Sequence, residues 1–306
     1  MTQDIPYIKL GIVAIFIAST AYVHFRGRVR LGFWRQLTDH STFMAPINCL
    51  MYLFSKLPAK PYLPVSSFPE LKLLEDHWQD IRAEAHRLAD AGEIKKSDKY
   101  NDAGFNSFFK TGWTRFHLKW YGDAHPSARS LCPVTTELLS RIPTVKAAMF
   151  AALPPGGRLV THRDPFAGSV RYHLGLVTPN TDNCYISVDG ERYSWRDGQG
   201  VVFDETYLHF AENQSDQMRI ILFCDVERPL NNPVARWFNQ VVSRTLIRAA
   251  AAPNADSDRT GGINRAFASV QRVRLFGKRI KARSRLAYYG LQWLIFGGLL
   301  LWWLWP

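Results

Sequence analysis

The stretch LVTHRDPFAGSVRYHLGL occupies Leu159–Leu176, and FDETYLHFAENQSDQMR occupies Phe203–Arg219. Alternation over Ser169–Val177 puts Tyr172, Leu174 and Leu176 on an apolar face and Arg171, His173 and Gly175 on the opposite one. Strand patterns recur at Lys146–Leu153, Cys184–Val188, Glu191–Trp195 and Gly200–Phe203, and again from Arg219 through RIILFCDV. Turn residues separate them: PPGG at Pro154–Gly157, Asp189-Gly190, and Asp197-Gly198. Asp-Gly between two alternating runs signals a hairpin. Short strands at regular turn spacing predict a mainly β fold, a sandwich or closed jelly roll.

His162 and Asp164 stand two apart, so on a strand both point the same way. His209 follows beyond the hairpin. Two imidazoles and one carboxylate on one face leave coordination positions open, which is the ligand set of non-heme Fe(II) oxygenases. Structural zinc takes four ligands and often thiolate, and no Cys stands near this set. An isolated H-x-D is weak evidence, because most such histidines are solvated or structural. The neighbouring strand strengthens it. Arg171 and His173 on an otherwise apolar strand are costly to bury without a partner. Arg219 opens another apolar strand and has the same need. A carboxylate answers it, since Arg offers a planar fork of donors. Either a small acid or the protein's own Asp204 or Asp225 would serve.

The pattern H-R-D-P-x5-R-Y-H-L-G-L, then F-D-E-T-x-x-H, then Arg ten residues later, resembles the aspartyl/asparaginyl β-hydroxylase family over about Trp113–Pro229. The resemblance implies a double-stranded β-helix that uses Fe(II), O2 and 2-oxoglutarate as cosubstrate. It implies His162 and His209 as iron ligands, Arg171 and His173 at one end of 2-oxoglutarate, and Arg219 at its distal carboxylate. Two departures stand out. The peptide hydroxylases of the family carry Gly where this chain has Asp164, and Ser where it has Ala151. The HxDP form is similar to the family's bacterial membrane branch, which implies hydroxylation at C2 of a fatty acyl chain of lipid A. Hydroxylation of an aspartyl or asparaginyl residue in a peptide is the alternative within the fold. A non-catalytic ligand-binding barrel is the alternative outside it.

The remainder of the chain points to a membrane. Formal net charge is +12 over 306 residues, and Arg228–Arg285 alone holds 13 Lys and Arg against 2 Asp. Such a stripe suits nucleic acid or an anionic membrane; its apolar flanks select the membrane and exclude nucleic acid. Tyr7–Phe25 and Leu286–Trp305 are each long enough to span. A cleaved signal peptide fits the first poorly, because Arg26, Arg28, Arg30 and Arg35 follow the run instead of preceding it. In the second, Tyr288 and Tyr289 lie at one edge and Trp302, Trp303 and Trp305 at the other, as an aromatic belt would. Basic residues after the first run and before the second place everything between on the cytoplasmic face of a bacterial inner membrane.

The expected organisation is a span at 7–25, a juxtamembrane segment at 26–68, an oxygenase domain at 69–230, a basic helical linker at 231–285 and a span at 286–305. Phe43–Phe54 reads either as a surface-lying segment that covers the substrate channel or as ordinary core. Glu70–Leu88 reads as one amphipathic helix. His117 and Lys119 lie on a strand ending at Trp120 and are expected at the surface. The four Cys show no pairing pattern, which fits free thiols in a reducing compartment.

Overall fold

The computed structural model describes residues 4–97 and 101–304. Nine strands form two antiparallel sheets. The larger runs in the order β1 (Tyr62–Leu63), β7 (Gly200–Phe203), β4 (Ser169–Val177), β9 (Arg219–Glu227), β3 (Val145–Leu153), β2 (Thr114–Trp120). The smaller runs β6 (Glu191–Ser194), β5 (Cys184–Val188), β8 (His209–Asn213). From β4 onward the chain passes to the small sheet, back for β7, across for β8 and back for β9, the winding of a jelly roll. The hairpin at Asp189-Gly190 has φ of 51° and 88°, the left-handed pair its two-residue turn requires. Gly175 meets a close approach: a Cβ there would lie 2.1 Å from the Arg196 carbonyl oxygen.

Each face of the large sheet has its own apolar layer. Tyr172, Leu174 and Leu176 pack on one side against Leu71, Leu74, Ile81, Ala85 and Leu88. The single helix expected over Glu70–Leu88 is broken at His77 into α4 (Lys72–Asp76) and α5 (Trp78–Asp90), but its apolar stripe is buried as expected. The other side faces the small sheet, where Met149, Ile221 and Phe223 meet Ile186 and Ala211. Helices α6 (Pro126–Leu131) and α7 (Pro133–Ser140) join β2 to β3.

Before the sheets come α1 (Asp4–Phe25), α2 (Phe33–Leu37) and α3 (His40–Leu53). Helix α3 lies along α1, with Tyr22 and Tyr52 rings 6.0 Å apart. Within Phe43–Phe54, Met44, Ala45 and Met51 are buried, as the core reading expects, whereas Phe43 and Leu53 are exposed. After the sheets come α8 (Pro233–Val242), a π-helical turn at Ser243–Ile247, α9 (Gly262–Arg283) and α10 (Arg285–Leu304). The basic segment is helical except for the irregular stretch 251–261. Residues Tyr7–Phe25 and Arg285–Trp303 are long and apolar enough to cross a membrane by length and composition; Trp305 of the expected second span lies outside the described residues. The far ends of the two helices meet, with Lys9 Nζ 5.9 Å over the Trp303 ring.

One surface expectation fails. His117 is buried, 3.6 Å from Asp102 and stacked among Phe105, Trp120 and His125. Arg26 is buried too. Its Nη2 lies 2.6 Å from Asp204, and its guanidinium sits 4.0 Å from both the Tyr52 and Tyr207 rings. Neither long-range partner is visible to local periodicity.

Candidate active site

Residues Arg158–Asp164 form an irregular edge beside β8 rather than a regular strand. Leu159 N–H donates to Ala211 O (2.8 Å), His162 and His209 exchange backbone bonds (3.0 and 2.9 Å), and Asp164 N–H reaches Glu205 O (2.9 Å). His162 and His209 are therefore directly opposed, with ring centroids 4.2 Å apart. Asp164 joins them, 3.5 Å from His162 Nε2, and the three ligand atoms all lie within 4.8 Å of one another.

Backbone carbonyls set both tautomers. His162 Nδ1 lies 2.7 Å from Val160 O and His209 Nδ1 2.9 Å from Tyr207 O. A carbonyl only accepts, so each Nδ1 carries the proton and each Nε2 keeps its lone pair for a metal. Burial lowers both histidines, His209 to about 3, and so keeps them neutral. Burial alone would raise Asp164; Arg171 first, then His209 and His162, pull it well below the usual carboxylate range. Two neutral imidazoles and an ionised carboxylate fit a divalent iron with open positions.

Arg171 faces three carboxylates. Its Nη2 contacts Asp164 Oδ2 at 2.6 Å and also Glu205, and its Nε is 3.0 Å from Asp225 Oδ1. Three acids on one guanidinium leave negative charge in excess. Burial, with Asp225 and Asp164 nearby, pushes Glu205 well above its ordinary value. Pairing with Asp225 therefore describes Arg171. Glu205 stood inside the quoted F-D-E-T motif, but nothing local assigned it this place.

Arg219 differs. It is 2 % exposed, its guanidinium stacks 4.5 Å over Trp195, and among the described residues no carboxylate pairs with it. Burial pushes its pKa down to about 10. Asp204, the other protein partner considered for it, is taken by Arg26 and Arg228. His173 lies nearby on β4, buried, with neither ring nitrogen hydrogen-bonded. Burial, Arg171 and Arg219 hold it neutral. These side chains and the three candidate ligand residues line one cavity. A buried cation and an unsatisfied imidazole facing a cavity make a seat for an organic acid. Ala151 lines it as well.

Aromatic side chains that the strand pattern did not single out also line the cavity: Phe105, Phe108 and Trp113, with the Phe108 ring 4.7 Å from His162. Helix α3 holds the ligand loop from behind. Asn48 Nδ2 donates to Pro165 O (3.0 Å), Asn48 Oδ1 accepts from Ala167 N–H (2.9 Å), and His40 Nε2 is 2.7 Å from Arg163 O. The polar residues inside an apolar segment were the available signal.

Comparison with known proteins follows the same region. The Aspartyl/Asparaginyl beta-hydroxylase family profile matches residues 75–229. An ornithine lipid ester-linked acyl 2-hydroxylase of Rhizobium tropici is 32% identical over 200 residues, 63% of this chain and 69% of that protein. Aspartate beta-hydroxylase domain-containing protein 2 of Xenopus tropicalis is 29% identical over 66% of this chain and 56% of its own length. Human aspartyl/asparaginyl beta-hydroxylase is 27% identical over 61% of this chain, but only 25% of that protein is matched. A Pseudomonas putida prolyl-4-hydroxylase structure aligns over 51% of this chain and 88% of that chain with TM-score 0.34 and 20% identity.

Proposed function

This chain belongs to the aspartyl/asparaginyl β-hydroxylase family, and on that premise we propose that it is an Fe(II)- and 2-oxoglutarate-dependent dioxygenase that hydroxylates an acyl chain of a membrane lipid. The observation that carries the reading is the His162, Asp164 and His209 set sharing a cavity with Arg219, a buried cation with no carboxylate partner among the described residues. When bound, iron and 2-oxoglutarate supply O2-dependent hydroxylation of an unactivated C–H bond, coupled to release of succinate and CO2.

The side chains divide the remaining work. His162 and His209 offer Nε2 lone pairs, and their Nδ1 bonds fix both rings. Asp164 supplies the anionic ligand, and Arg171 fixes its free oxygen. Arg219 takes the distal carboxylate of 2-oxoglutarate. His173 and Arg171 line the same cavity and receive the other end. Phe105, Phe108 and Trp113 keep water from the reacting centre.

For the substrate, the reading is C2 of a lipid-borne fatty acyl chain, with lipid A as the expected carrier. Two apolar helices, a basic flank and a relative named for an acyl 2-hydroxylase support a lipid. The basic residues flanking the two apolar runs support a cytoplasmic domain at the inner membrane. The deciding experiment incubates purified protein with Fe(II), 2-oxoglutarate and either extracted lipids or an Asp/Asn-containing peptide. A lipid species heavier by about 16 Da, one inserted oxygen, with matching succinate is expected. Succinate formation driven only by the peptide would replace the lipid reading with peptide hydroxylation. None with either would reject the enzyme.

A further inference from the structure

A second cavity, of ≈ 1130 Å³ counted to its open mouth, lies beyond Trp120. Trp120 packs edge-on against Phe105 at 6.1 Å, and Phe105 lines the iron-site cavity, so the two spaces are separated by one aromatic pair. Arg129, Arg244, Arg248 and Arg259 line the second cavity, with Asp123 as the one acidic residue in its lining. Among the described residues, none of the four arginines makes an ion pair. All four are exposed, and against one Asp they give this cleft an excess of positive charge that attracts anions.

Three further observations converge there. The π-helical turn Ser243–Ile247 interrupts the run after α8 and carries Arg244, with Arg248 next in sequence; such turns recur at functional sites. Trp120 Nε1 pins it by donating to Ile247 O at 2.9 Å. Arg259, Thr260 and Gly261 line the cavity and lead into α9, a 22-residue helix with no side-chain cap on its first N–H groups. A long helix start of this kind attracts anions. His125 also lines the space. It is 5 % exposed, with Nδ1 3.9 Å from Asp258 Oδ1 and Nε2 sealed from solvent.

We propose that this cavity binds a phosphate-type oxyanion, free or carried on a lipid headgroup, through the four guanidiniums and the start of α9. The proposal stands apart from the hydroxylation reading, and its test uses no turnover. Full-length protein in dodecylmaltoside is titrated calorimetrically, at constant ionic strength, with sodium phosphate, dioctanoylphosphatidic acid, and dioctanoylglycerol as a headgroup-free control. Saturable binding of at least one phosphate probe is expected, with none for dioctanoylglycerol. Arg244→Gln combined with Arg248→Gln is expected to weaken binding at least about tenfold, whereas Arg141→Gln, outside the cavity, leaves it unchanged. Binding of both phosphate probes identifies the phosphate group itself as the ligand; binding of phosphatidic acid alone identifies a headgroup. Should the double variant fail to fold, Arg259→Gln, on a loop, carries the same expectation. Absence of binding by either phosphate probe, or undiminished binding in a folded variant, overturns the proposal.

Discussion

Replacing Arg219 with Met should make the protein more stable and cripple its use of 2-oxoglutarate. Burial holds the guanidinium pKa near 10 with no carboxylate to compensate. At about 1.4 kcal/mol per tenfold, that corresponds to roughly 3 kcal/mol of strain in the ligand-free fold. Stacking on Trp195 returns about 1–2 kcal/mol. Met matches the length, removes the charge and keeps part of the packing, so a net gain of about 1–2 kcal/mol is expected. At about 2–4 °C per kcal/mol for chains of this size, Tm rises by roughly 2–8 °C. The cosubstrate reverses the order. Wild type gains about 2.7 kcal/mol at a hundredfold excess over Kd, and the variant gains little. The apparent KM for 2-oxoglutarate should rise about 10- to 1000-fold, since a charge-assisted pair loses one partner. Thermal melts with and without 2-oxoglutarate, in a divalent metal buffer, read both effects at once. A destabilised Arg219→Met that still shows the full 2-oxoglutarate shift would refute the reasoning.

Other outcomes follow from the same geometry. Asp164→Ala and His209→Ala should each abolish turnover and weaken Fe(II) binding by equilibrium dialysis, because each removes a ligand atom; full activity in Asp164→Ala would reduce that carboxylate to a partner of Arg171. The metal-free protein should lose stability as pH falls below about 6.5. His117 and His209 titrate at about 4 and 3 when folded but near 6.5 when unfolded, so the unfolded chain binds the extra protons. Between pH 6.5 and 5 each contributes roughly 2 kcal/mol of loss, and urea melts of His117→Phe should show a shallower slope; an unchanged slope would contradict a neutral buried His117. A reporter inserted in the 253–262 loop should read as cytoplasmic, and one fused after residue 306 as periplasmic; a periplasmic loop would separate the site from its cytosolic cosubstrate.

The sequence carried what depends on alternation and short spacing. The β4 faces, the Asp189-Gly190 turn and the apolar stripe of Leu71–Leu88 all follow from local periodicity. The three candidate ligand residues were legible because type and spacing together limit what they could do, and the structure brings all three together. What escaped was every pairing across long sequence distance. His117 alternates like a surface residue, yet Asp102 and a ring cluster bury it. Arg26 looks like a flanking charge, yet Asp204, 178 residues away, claims it. The two buried arginines looked alike from sequence; the register that sets Asp225 opposite Arg171, together with Asp164 and Glu205 from the neighbouring loops, separates a paired cation from an unpaired one.

The clamp on Arg26 has a mechanical meaning. It follows the last residue of α1 directly and is locked between Tyr52, Tyr207 and Asp204, one residue before Glu205 and five before His209. A helix joined by a slack tether would let the barrel bob and swivel over a bilayer, averaging its height. A helix bolted to the ligand loop works as a depth gauge instead. With α1 seated in a membrane, each residue added to or removed from it would shift the iron along the bilayer normal by about 1.5 Å. The carbon presented for oxidation would then be set by helix length as much as by pocket shape.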